Sequence, residues 1–331
     1  MIKRPKVSVI VPVYNVEKYI ERCARTLFEQ TIRDIEYIFV DDCSLDKSIL
    51  ILKDILKEYP ERRDQVKIIS HTPNKGLAYT RQEGIDNANG EYIIHCDSDD
   101  WVEPDMYESM YDMAVKNKAN IVCCNYIAEF NNYHKKVKYT YLIETEQILL
   151  DSIPTTLNSA VWNKLISKEL YSINNLRWFE GVNMQEDLGI TLRLRVQSSK
   201  TIILPRYLYH YNRQNEGSMA TKPKLIYVDE QIQCAKLLEK WMVTHYDNKY
   251  NVLIDKIKFW AKSGLFIHSG IQDISRWENT FPETNTNVWK YKEMPLYNRI
   301  PMWMALHGFI YIGKVIIYLK TKISTAILSI Y

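Results

Sequence analysis

The feature that most constrains the fold is an alternation, over roughly the first 125 residues, between short apolar runs and segments with helical spacing. The strand candidates are Val7–Val11, Tyr37–Val40, Val66–Ile69, Tyr92–Cys96 and Ile121–Cys124. Such an alternation is typical of an α/β domain with a largely parallel sheet. Because the runs are almost entirely apolar, we expect helices to cover both faces of that sheet.

Polar residues mark the ends of these elements. Between the second and third strand candidates, apolar residues recur at helical spacing: Ile49, Leu52, Ile55, Leu56 and Tyr59. Ser44 is predicted to cap this helix and Pro60 to end it. The loops after the strands are rich in polar groups: Pro12–Asn15, Asp41–Ser44, His71–Gly76 and Asp97–Asp100. Since ligands of open α/β sheets bind outside the C-terminal ends of the strands, these loops are predicted to form one site.

The pattern changes in the second half of the chain. From Asn125 to about Ala220 the alternation is irregular, and we assign residues 1–220 to one domain. Residues 221–331 are predicted to form a helical extension, with helices over Lys222–Tyr246 and Asn251–Ile267. The stretch from Ile300 to Leu319 is apolar apart from His307 and Lys314, and from Lys290 to Tyr331 the chain carries six basic residues against one acidic residue. This tail predicts either a helix that lies on an anionic membrane or a helix that packs against protein.

The overall charge and the cysteines narrow the classes of function. The chain has 43 basic and 40 acidic side chains, a net charge of +3, which gives no reason to expect a nucleic-acid partner. The six cysteines include no C-x-x-C pair, so a reducing compartment and no structural zinc are expected. The N-terminal segment lacks the apolar stretch of a signal peptide. These features predict a cytoplasmic protein.

The segment Asp97-Ser98-Asp99-Asp100 places carboxylates directly after the apolar run Tyr92–Cys96. One or two carboxylates can hold Mg²⁺ or Mn²⁺ and leave positions for phosphate oxygens. An acidic run at a strand end can also serve only as a cap. Two other loops suit a nucleoside: Tyr14 and Asn15 offer a ring and an amide, and a carboxylate of Asp41-Asp42 could accept a pyrimidine N–H. An ordinary turn and a simple helix cap are the alternatives for these two loops.

These segments, with Asn74–Arg81 and Glu186-Asp187, resemble the inverting family 2 glycosyltransferases of the GT-A fold. The resemblance covers roughly residues 5–220 and rests on V-S-V-I-V-P-V-Y-N, V-D-D-x-S, N-x-G-x-x-x-x-R, G-E-Y-I, D-S-D-D-W and a later E-D, in the expected order. It implies an α/β fold with a GT-A-like, Rossmann-type mixed sheet flanked by helices, followed by the helical C-terminal extension. It also implies a nucleotide-sugar donor.

The resemblance further implies a role for each matching residue. The donor site would comprise Pro12, Tyr14, Asn15, Asp42, Asn74, Lys75, Gly76, Arg81, Asp97, Ser98 and Asp99. The first four would face the nucleoside, and Lys75 and Arg81 would lie near the diphosphate, where a guanidinium can bridge oxygens or orient carboxylates. Asp97 and Asp99 would hold Mn²⁺ or Mg²⁺, with Asp99 as the direct ligand and Asp100 in support. Asp187, with Glu186 beside it, would be the base that deprotonates the acceptor; the alternative is an acidic pair that only favours the helix dipole.

The sequence departs from the family pattern at three positions. Cys43 replaces the usual Gly after the two aspartates, Gln82 stands in place of the Asn of the common A-R-N, and Gln185 stands where Gly often precedes E-D. In addition, His210 lies where the family more often has an aromatic residue. It could ligate a metal or a phosphate, or it could be a packed, hydrogen-bonded residue.

The expected function is therefore metal-dependent, inverting transfer from a nucleotide sugar, with a UDP-sugar as the donor. The acceptor would be a saccharide or polyprenyl-linked oligosaccharide of a bacterial capsule, exopolysaccharide or lipopolysaccharide, at the inner face of the cytoplasmic membrane. A binding or scaffold protein of the same fold without catalysis is the alternative. A nucleotidyltransferase or a dinucleotide dehydrogenase should carry a glycine-rich loop after the first strand, and Pro12–Asn15 contains no glycine.

Overall fold

The computed structural model describes residues 4–139, 159–173, 175–215, 217, 225–268, 274–292, 294–309, 311–313 and 315–316. Within these ranges the chain forms two compact units, one up to residue 217 and the other from residue 225. The predicted boundary between residues 220 and 221 lies outside the described residues.

The first unit, as far as it is described, is built on a nine-stranded mixed sheet. Its strands are β1 (Val7–Val13), β2 (Ile35–Asp41), β3 (Val66–Ser70), β4 (Tyr92–His95), β5 (Trp101–Val102), β6 (Ile121–Glu129), β7 (His134–Val137), β8 (Lys164–Ser167) and β9 (Thr201–Asn212). The order across the sheet is β3-β2-β1-β4-β8-β6-β9-β5, and β7 pairs with β6. All five predicted strands are present, and β3, β2, β1 and β4 are parallel, as the alternation predicted.

Helices cover both faces of this parallel block. The helices described in the first unit are α1 (Ile20–Phe28), α2 (Ser48–Glu58), a 3-10 helix (Pro60–Gln65), α3 (Leu77–Asp86), α4 (Met106–Asn117), α5 (Lys168–Ile173) and α6 (Glu186–Gln197). Buried side chains of α1, α2 and α4 form one core with Val7, Val9 and Val11 of β1. On the other face, α3 approaches β1 so closely that a Cβ added to Gly84 would lie 2.3 Å from Ile10 Cγ2. The prediction of a doubly covered sheet is confirmed.

The predicted cap of α2 is wrong. The helix begins at Ser48, four residues beyond Ser44, and the N–H of Ser48 is accepted by Asp46 Oδ1 at 3.0 Å. The two serines instead connect neighbouring loops, because Ser44 Oγ accepts the N–H of Asn15 at 3.2 Å and Ser48 Oγ accepts the N–H of Val16 at 2.8 Å. The helix ends at Glu58, just before Pro60, as predicted.

The second unit is helical where the structure describes it. It contains α7 (Leu225–Tyr246), α8 (Asn251–His268), α9 (Ile274–Asn279), a 3-10 helix (Pro282–Trp289) and α10 (Leu296–Leu306). The two predicted helices are confirmed, although residues 222–224 of the first lie outside the described residues. No helix in the described part of the chain is both long enough and apolar enough to span a membrane.

Candidate active site

Four loops meet at the edge of the sheet where the parallel strands β1 to β4 end. The loops after β1 and β2 are joined directly, since Leu45 N–H donates to Asn15 Oδ1 at 2.8 Å. Pro12 is buried at the end of β1, and Tyr14, two residues later, is 50% exposed. The aromatic ring that the sequence assigned to the nucleoside is therefore open to solvent beside the loop junction.

The Asp42 carboxylate organises the loop after β3. Asp42 Oδ1 accepts the N–H of Lys75 at 2.7 Å, Oδ2 accepts the N–H of Gly76 at 2.8 Å, and the Asp42 carbonyl accepts Asn74 Nδ2 at 2.8 Å. These four residues form what we call the Asp42 clamp. His71 Nδ1 lies 2.8 Å from the same Oδ1. Sequence reasoning grouped the clamp residues in one site, but it missed that Asp42 binds the backbone of the other loop and that His71 takes part.

The clamp continues toward the helix that carries the predicted base. Gly76 has a φ of 89°, and a Cβ added to it would lie 2.5 Å from Asn183 Oδ1. The same Asn183 oxygen accepts the N–H of Ala78 at 3.2 Å. Only glycine meets both demands on the backbone at this position. The Lys75 ammonium lies over the Tyr79 ring, with Nζ 4.4 Å from the ring centre.

The acidic cluster after β4 is held from β9. Asp100 is fully buried, and its carboxylate accepts the Tyr209 hydroxyl at 2.5 Å and the N–H of Asn212 at 2.7 Å. Asp99 Oδ2 accepts Asn215 Nδ2 at 2.8 Å. Sequence reasoning missed these three partners, because the antiparallel pairing of β9 with the short strand β5 brings together residues more than 100 positions apart. The polar run that follows β9 was the available signal.

The cluster concentrates negative charge in a buried place. Burial, and then the charge of Asp97, raise the pKa of Asp99 to about 6. Burial, and then the charges of Asp99 and Asp97, raise the pKa of Asp100 well above its usual value. Ser98 is buried, and the Asp97 side chain is 26% exposed. Crowded, desolvated carboxylates favour their protonated forms unless a cation comes close.

Arg81 on α3 connects this cluster to α6. Its side chain is 2% exposed, and Nη2 donates to Asp97 Oδ1 at 2.9 Å. Its Nε lies 3.8 Å from Glu186 Oε1 and 3.9 Å from Asp187 Oδ1. Of the two uses that the sequence left open for this guanidinium, this geometry supports the orientation of neighbouring carboxylates.

Asp187 and Glu186 lie at the start of α6, both directed into this buried region. Burial raises the pKa of Asp187; Arg81 opposes this shift and Asp97 adds to it. Burial and the charge of Asp187 raise the pKa of Glu186 well above its usual value. Asp187 Oδ1 is buried and accepts no hydrogen bond from any described residue. A carboxylate with a free acceptor oxygen and a raised pKa has the properties of a general base.

The departures from the family pattern have different structural outcomes. Cys43 and Gln185 adopt left-handed backbone conformations, with φ of 66° and 62°, which explains why glycine suits both positions. Gln82 Oε1 accepts the N–H of Trp178 at 3.0 Å, so the amide is used within the fold. His210 lies between Glu129, at 2.8 Å from Nδ1, and Glu103, at 2.9 Å from Nε2, which is the packed, hydrogen-bonded alternative.

Comparison with known proteins bears on the family of this chain. Residues 8–172 match the family described as Glycosyl transferase family 2. EpsJ of Bacillus subtilis, an uncharacterized glycosyltransferase, is 32% identical over 241 residues, which cover 69% of this chain and 67% of EpsJ. The poly(ribitol-phosphate) β-glucosyltransferase of Bacillus spizizenii is 30% identical over 219 residues, which cover 64% of this chain and only 33% of that protein.

A solved structure extends the likeness to the fold. S. aureus TarS 1–349, crystallised in complex with UDP-GlcNAc, superimposes with a TM-score of 0.70 at 16% identity and covers 96% of this chain and 92% of that chain. Since identity is low, this match bears on the fold alone, and the mixed sheet flanked by helices is GT-A-like, as predicted. The chain belongs to glycosyltransferase family 2.

Proposed function

We propose that this protein transfers a sugar from a nucleoside-diphosphate sugar to a hydroxyl group, with inversion at the anomeric carbon and with Asp187 as the base. The observation that carries this proposal is the buried connection through Arg81. One guanidinium lies within 4 Å of Asp97, on the donor side, and of Asp187, which keeps a free acceptor oxygen. The same guanidinium thereby holds the donor-side carboxylate and the proposed base.

The acceptor positions left on Asp42 support a choice of donor nucleotide. Its Oδ1 already faces two N–H groups, from Lys75 and His71, while Oδ2 accepts only the N–H of Gly76. A carboxylate oxygen has about two acceptor sites, so Oδ2 retains one. Uracil, thymine and guanine carry a ring N–H that could donate to it, whereas cytosine has an acceptor at that position. We favour a UDP-sugar, which is also the ligand named for the TarS complex.

The residues present fit a divalent cation. Asp97 and Asp99 are neighbouring carboxylates, and burial beside Asp97 disfavours the charged form of Asp99, which a cation would reverse. Mg²⁺ is commonly held by one or two carboxylates together with substrate phosphates, and Asp97 and Asp99 offer two carboxylates. When bound, such an ion would neutralise the charge that the diphosphate gains as it leaves.

The protein's own part in the reaction is positioning and proton transfer. The acceptor oxygen attacks the anomeric carbon as the bond from that carbon to the diphosphate oxygen breaks, and the hydroxyl proton passes to Asp187 Oδ1. Arg81 favours the ionised form of the carboxylate before the step, and we propose Glu186, its neighbour, as a ligand of the acceptor. A single displacement of this kind inverts the anomeric configuration.

A panel of nucleotide sugars tests the donor and the stereochemistry together. Incubation with Mn²⁺ and UDP-, GDP-, TDP- and CDP-sugars should give slow hydrolysis of donors with a ring N–H, UDP-sugars above all, and none of CDP-sugars. Proton NMR of the freshly released sugar should give the β anomer from an α-linked donor. Retention would reject the inverting mechanism, whereas no turnover with any donor and acceptor would favour the inactive binding protein.

The metal can be tested through donor binding. Asp99→Ala should weaken Mn²⁺-dependent UDP binding by roughly 100-fold, because the charge that the ion supplies is worth several kcal/mol. Titration calorimetry with and without EDTA measures it. Equal UDP affinity of the wild-type protein with and without the metal would reject metal dependence.

The acceptor and the location are also proposals. The named activity of the Bacillus spizizenii relative supports a hydroxyl-bearing surface polymer, and a saccharide or polyprenyl-linked oligosaccharide is the acceptor class we propose. Beyond α10, large apolar side chains are exposed: Phe309, Tyr311, Ile312 and Val315. We expect this segment to bind anionic membrane at its inner face. Phe309→Ser with Ile312→Ser should reduce co-sedimentation with phosphatidylglycerol vesicles; unchanged sedimentation would reject the contact.

A further inference from the structure

His71 is a buried histidine whose two ring nitrogens both face carboxylates. Nδ1 lies 2.8 Å from Asp42 Oδ1, and Nε2 lies 2.8 Å from Glu83 Oε2 on α3. The His71 side chain is 2% exposed, so this contact takes place away from solvent. The residue belongs to none of the segments that carry the family resemblance, and the proposed chemistry does not use it.

The direction of the first hydrogen bond follows from the partners of Asp42. The Asp42 carboxylate accepts two backbone N–H groups and is therefore an acceptor. A ring nitrogen that faces an acceptor oxygen must carry a hydrogen, so Nδ1–H donates to Asp42. Charge-assisted hydrogen bonds of this kind are the stronger ones in proteins.

The geometry points to His71 as a positioning residue for donor binding. Resting on the proposed function, we infer that its Nδ1–H fixes the Asp42 carboxylate in the one orientation that holds the backbone of Lys75 and Gly76 and leaves an acceptor position for the base of the donor. Glu83 holds the ring from its other side, and the His71 backbone N–H donates to Asp41 O at 2.8 Å. The imidazole is thus held from two sides, and the backbone of His71 is held as well.

Loss of the Nδ1 contact should act on donor affinity more than on chemistry. Without it, Asp42 can rotate, and the clamp and the base-reading oxygen lose their alignment together. A hydrogen bond to a charged group contributes about 1.5–3 kcal/mol, which corresponds to roughly 10- to 100-fold in affinity. Since the nucleoside keeps the same contacts in the ground state and the transition state, kcat should change little.

Two amide substitutions separate this role from simple packing. In His71→Asn the side-chain N–H lies near the position of Nδ1, while in His71→Gln it lies near the position of Nε2, and both remove the ring. We expect UDP affinity, measured by calorimetry with Mn²⁺, to stay within about 3-fold in H71N and to fall roughly 10- to 100-fold in H71Q. A packing role predicts the opposite order, because glutamine fills more of the ring's volume. His134→Gln, at an exposed histidine of β7, is the matched control.

A double-mutant cycle with Asp42→Asn completes the test. If His71 acts through Asp42, H71Q should add nothing to the loss caused by D42N. Additive losses, or equal UDP affinities of H71N and H71Q, would overturn the inference while leaving the proposed function intact. A wild-type protein that binds none of UDP, GDP and TDP would instead reject the proposed function itself. If H71Q does not fold, His71→Leu, which has nearly the shape of asparagine but no N–H, replaces it in the same comparison.

Discussion

The Asp42 clamp and the carboxylate cluster lie at the same edge of the sheet but satisfy their charges in opposite ways. In the clamp, one carboxylate receives N–H groups from Lys75, Gly76 and His71. We extend the cluster here to the two acidic residues of α6, so that it comprises Asp97, Asp99, Asp100, Glu186 and Asp187. The ion pairs that the described residues make with these carboxylates come from Arg81 alone. The clamp is complete without a ligand, whereas the cluster carries more negative charge than its surroundings offset.

This difference separates recognition from chemistry. A satisfied carboxylate on fixed backbone is a rigid receptor, which favours selective binding of a donor nucleotide. A cluster with excess negative charge gains most when a cation and a substrate arrive, and a raised pKa makes an ionised carboxylate in it a stronger proton acceptor. The comparison predicts that substitutions in the cluster change turnover or stability strongly. Substitutions in the loops around the clamp should change stability less, through the conformation of the backbone.

The largest effect is expected for Asp187→Asn, which removes the proton acceptor but keeps the shape. We expect kcat to fall by about 1,000-fold with donor KM nearly unchanged, within the range for loss of a general base. In the wild type, activity should be lost as pH falls through the pKa of Asp187, which burial places above that of an ordinary aspartate. Initial rates over a pH series measure both, with exposed Asp112→Asn as the control. Full activity of D187N would remove Asp187 from the mechanism.

Next in size is the effect of Arg81→Met on stability. Removing the cation leaves buried carboxylates without their partner, and we expect the free energy of unfolding to fall by about 3 kcal/mol. Arg177→Met is the control, because Arg177 pairs with Asp86 at the surface with half of its side chain exposed. Urea unfolding of both variants makes the measurement. Equal losses would contradict the claim that the cluster depends on one buried cation.

A smaller, pH-dependent effect is expected for His95, which lies on β4 just before the cluster. It is fully buried, and burial, followed by the charge of Arg81, lowers the pKa of its imidazole well below the usual value. Above the unfolded-state pKa both states are neutral and the residue contributes no pH dependence. As pH falls through that value only the unfolded chain binds a proton, so stability is lost.

His95→Phe should remove this dependence. For each pH unit below about 6.5, the free energy of unfolding of the variant should rise by about 1.4 kcal/mol relative to that of the wild type. Thermal unfolding at pH 7.5 and pH 5.5 tests it, and parallel pH profiles of the two proteins would show that another group is responsible.

The smallest effect is expected in the loop next to the clamp. Cys43 holds a φ of 66°, which costs a residue with a side chain about 1 kcal/mol relative to glycine. Cys43→Gly should therefore raise the free energy of unfolding by about that amount, while Cys43→Ala, which keeps the Cβ, should not. Urea midpoints of the two variants decide the matter, and an equal change in both would point to the thiol.

Much of the fold and the composition of the site could be predicted from the sequence. Apolar runs with helical segments between them identify β1 to β4 as a parallel block, because the apolar side chains of each segment determine that it is buried. Polar residues after each strand then identify the site, since parallel strands end at one edge. Residue roles such as that of Asp187 stay predictions, because they depend on substrates as well as on the chain.

The tertiary structure decided which of these polar groups meet. Nothing local in the sequence indicates that Asp42 binds the backbone of Lys75 and Gly76, that His71 supports it, or that Tyr209 holds Asp100 across more than 100 residues. Ser44 illustrates the same limit. The local pattern predicted that its hydroxyl caps a helix, but the hydroxyl accepts the N–H of Asn15 from a neighbouring loop. Periodicity and composition depend on each segment's own residues, whereas hydrogen bonds and pKa shifts depend on partners that only the packing of distant segments brings within reach.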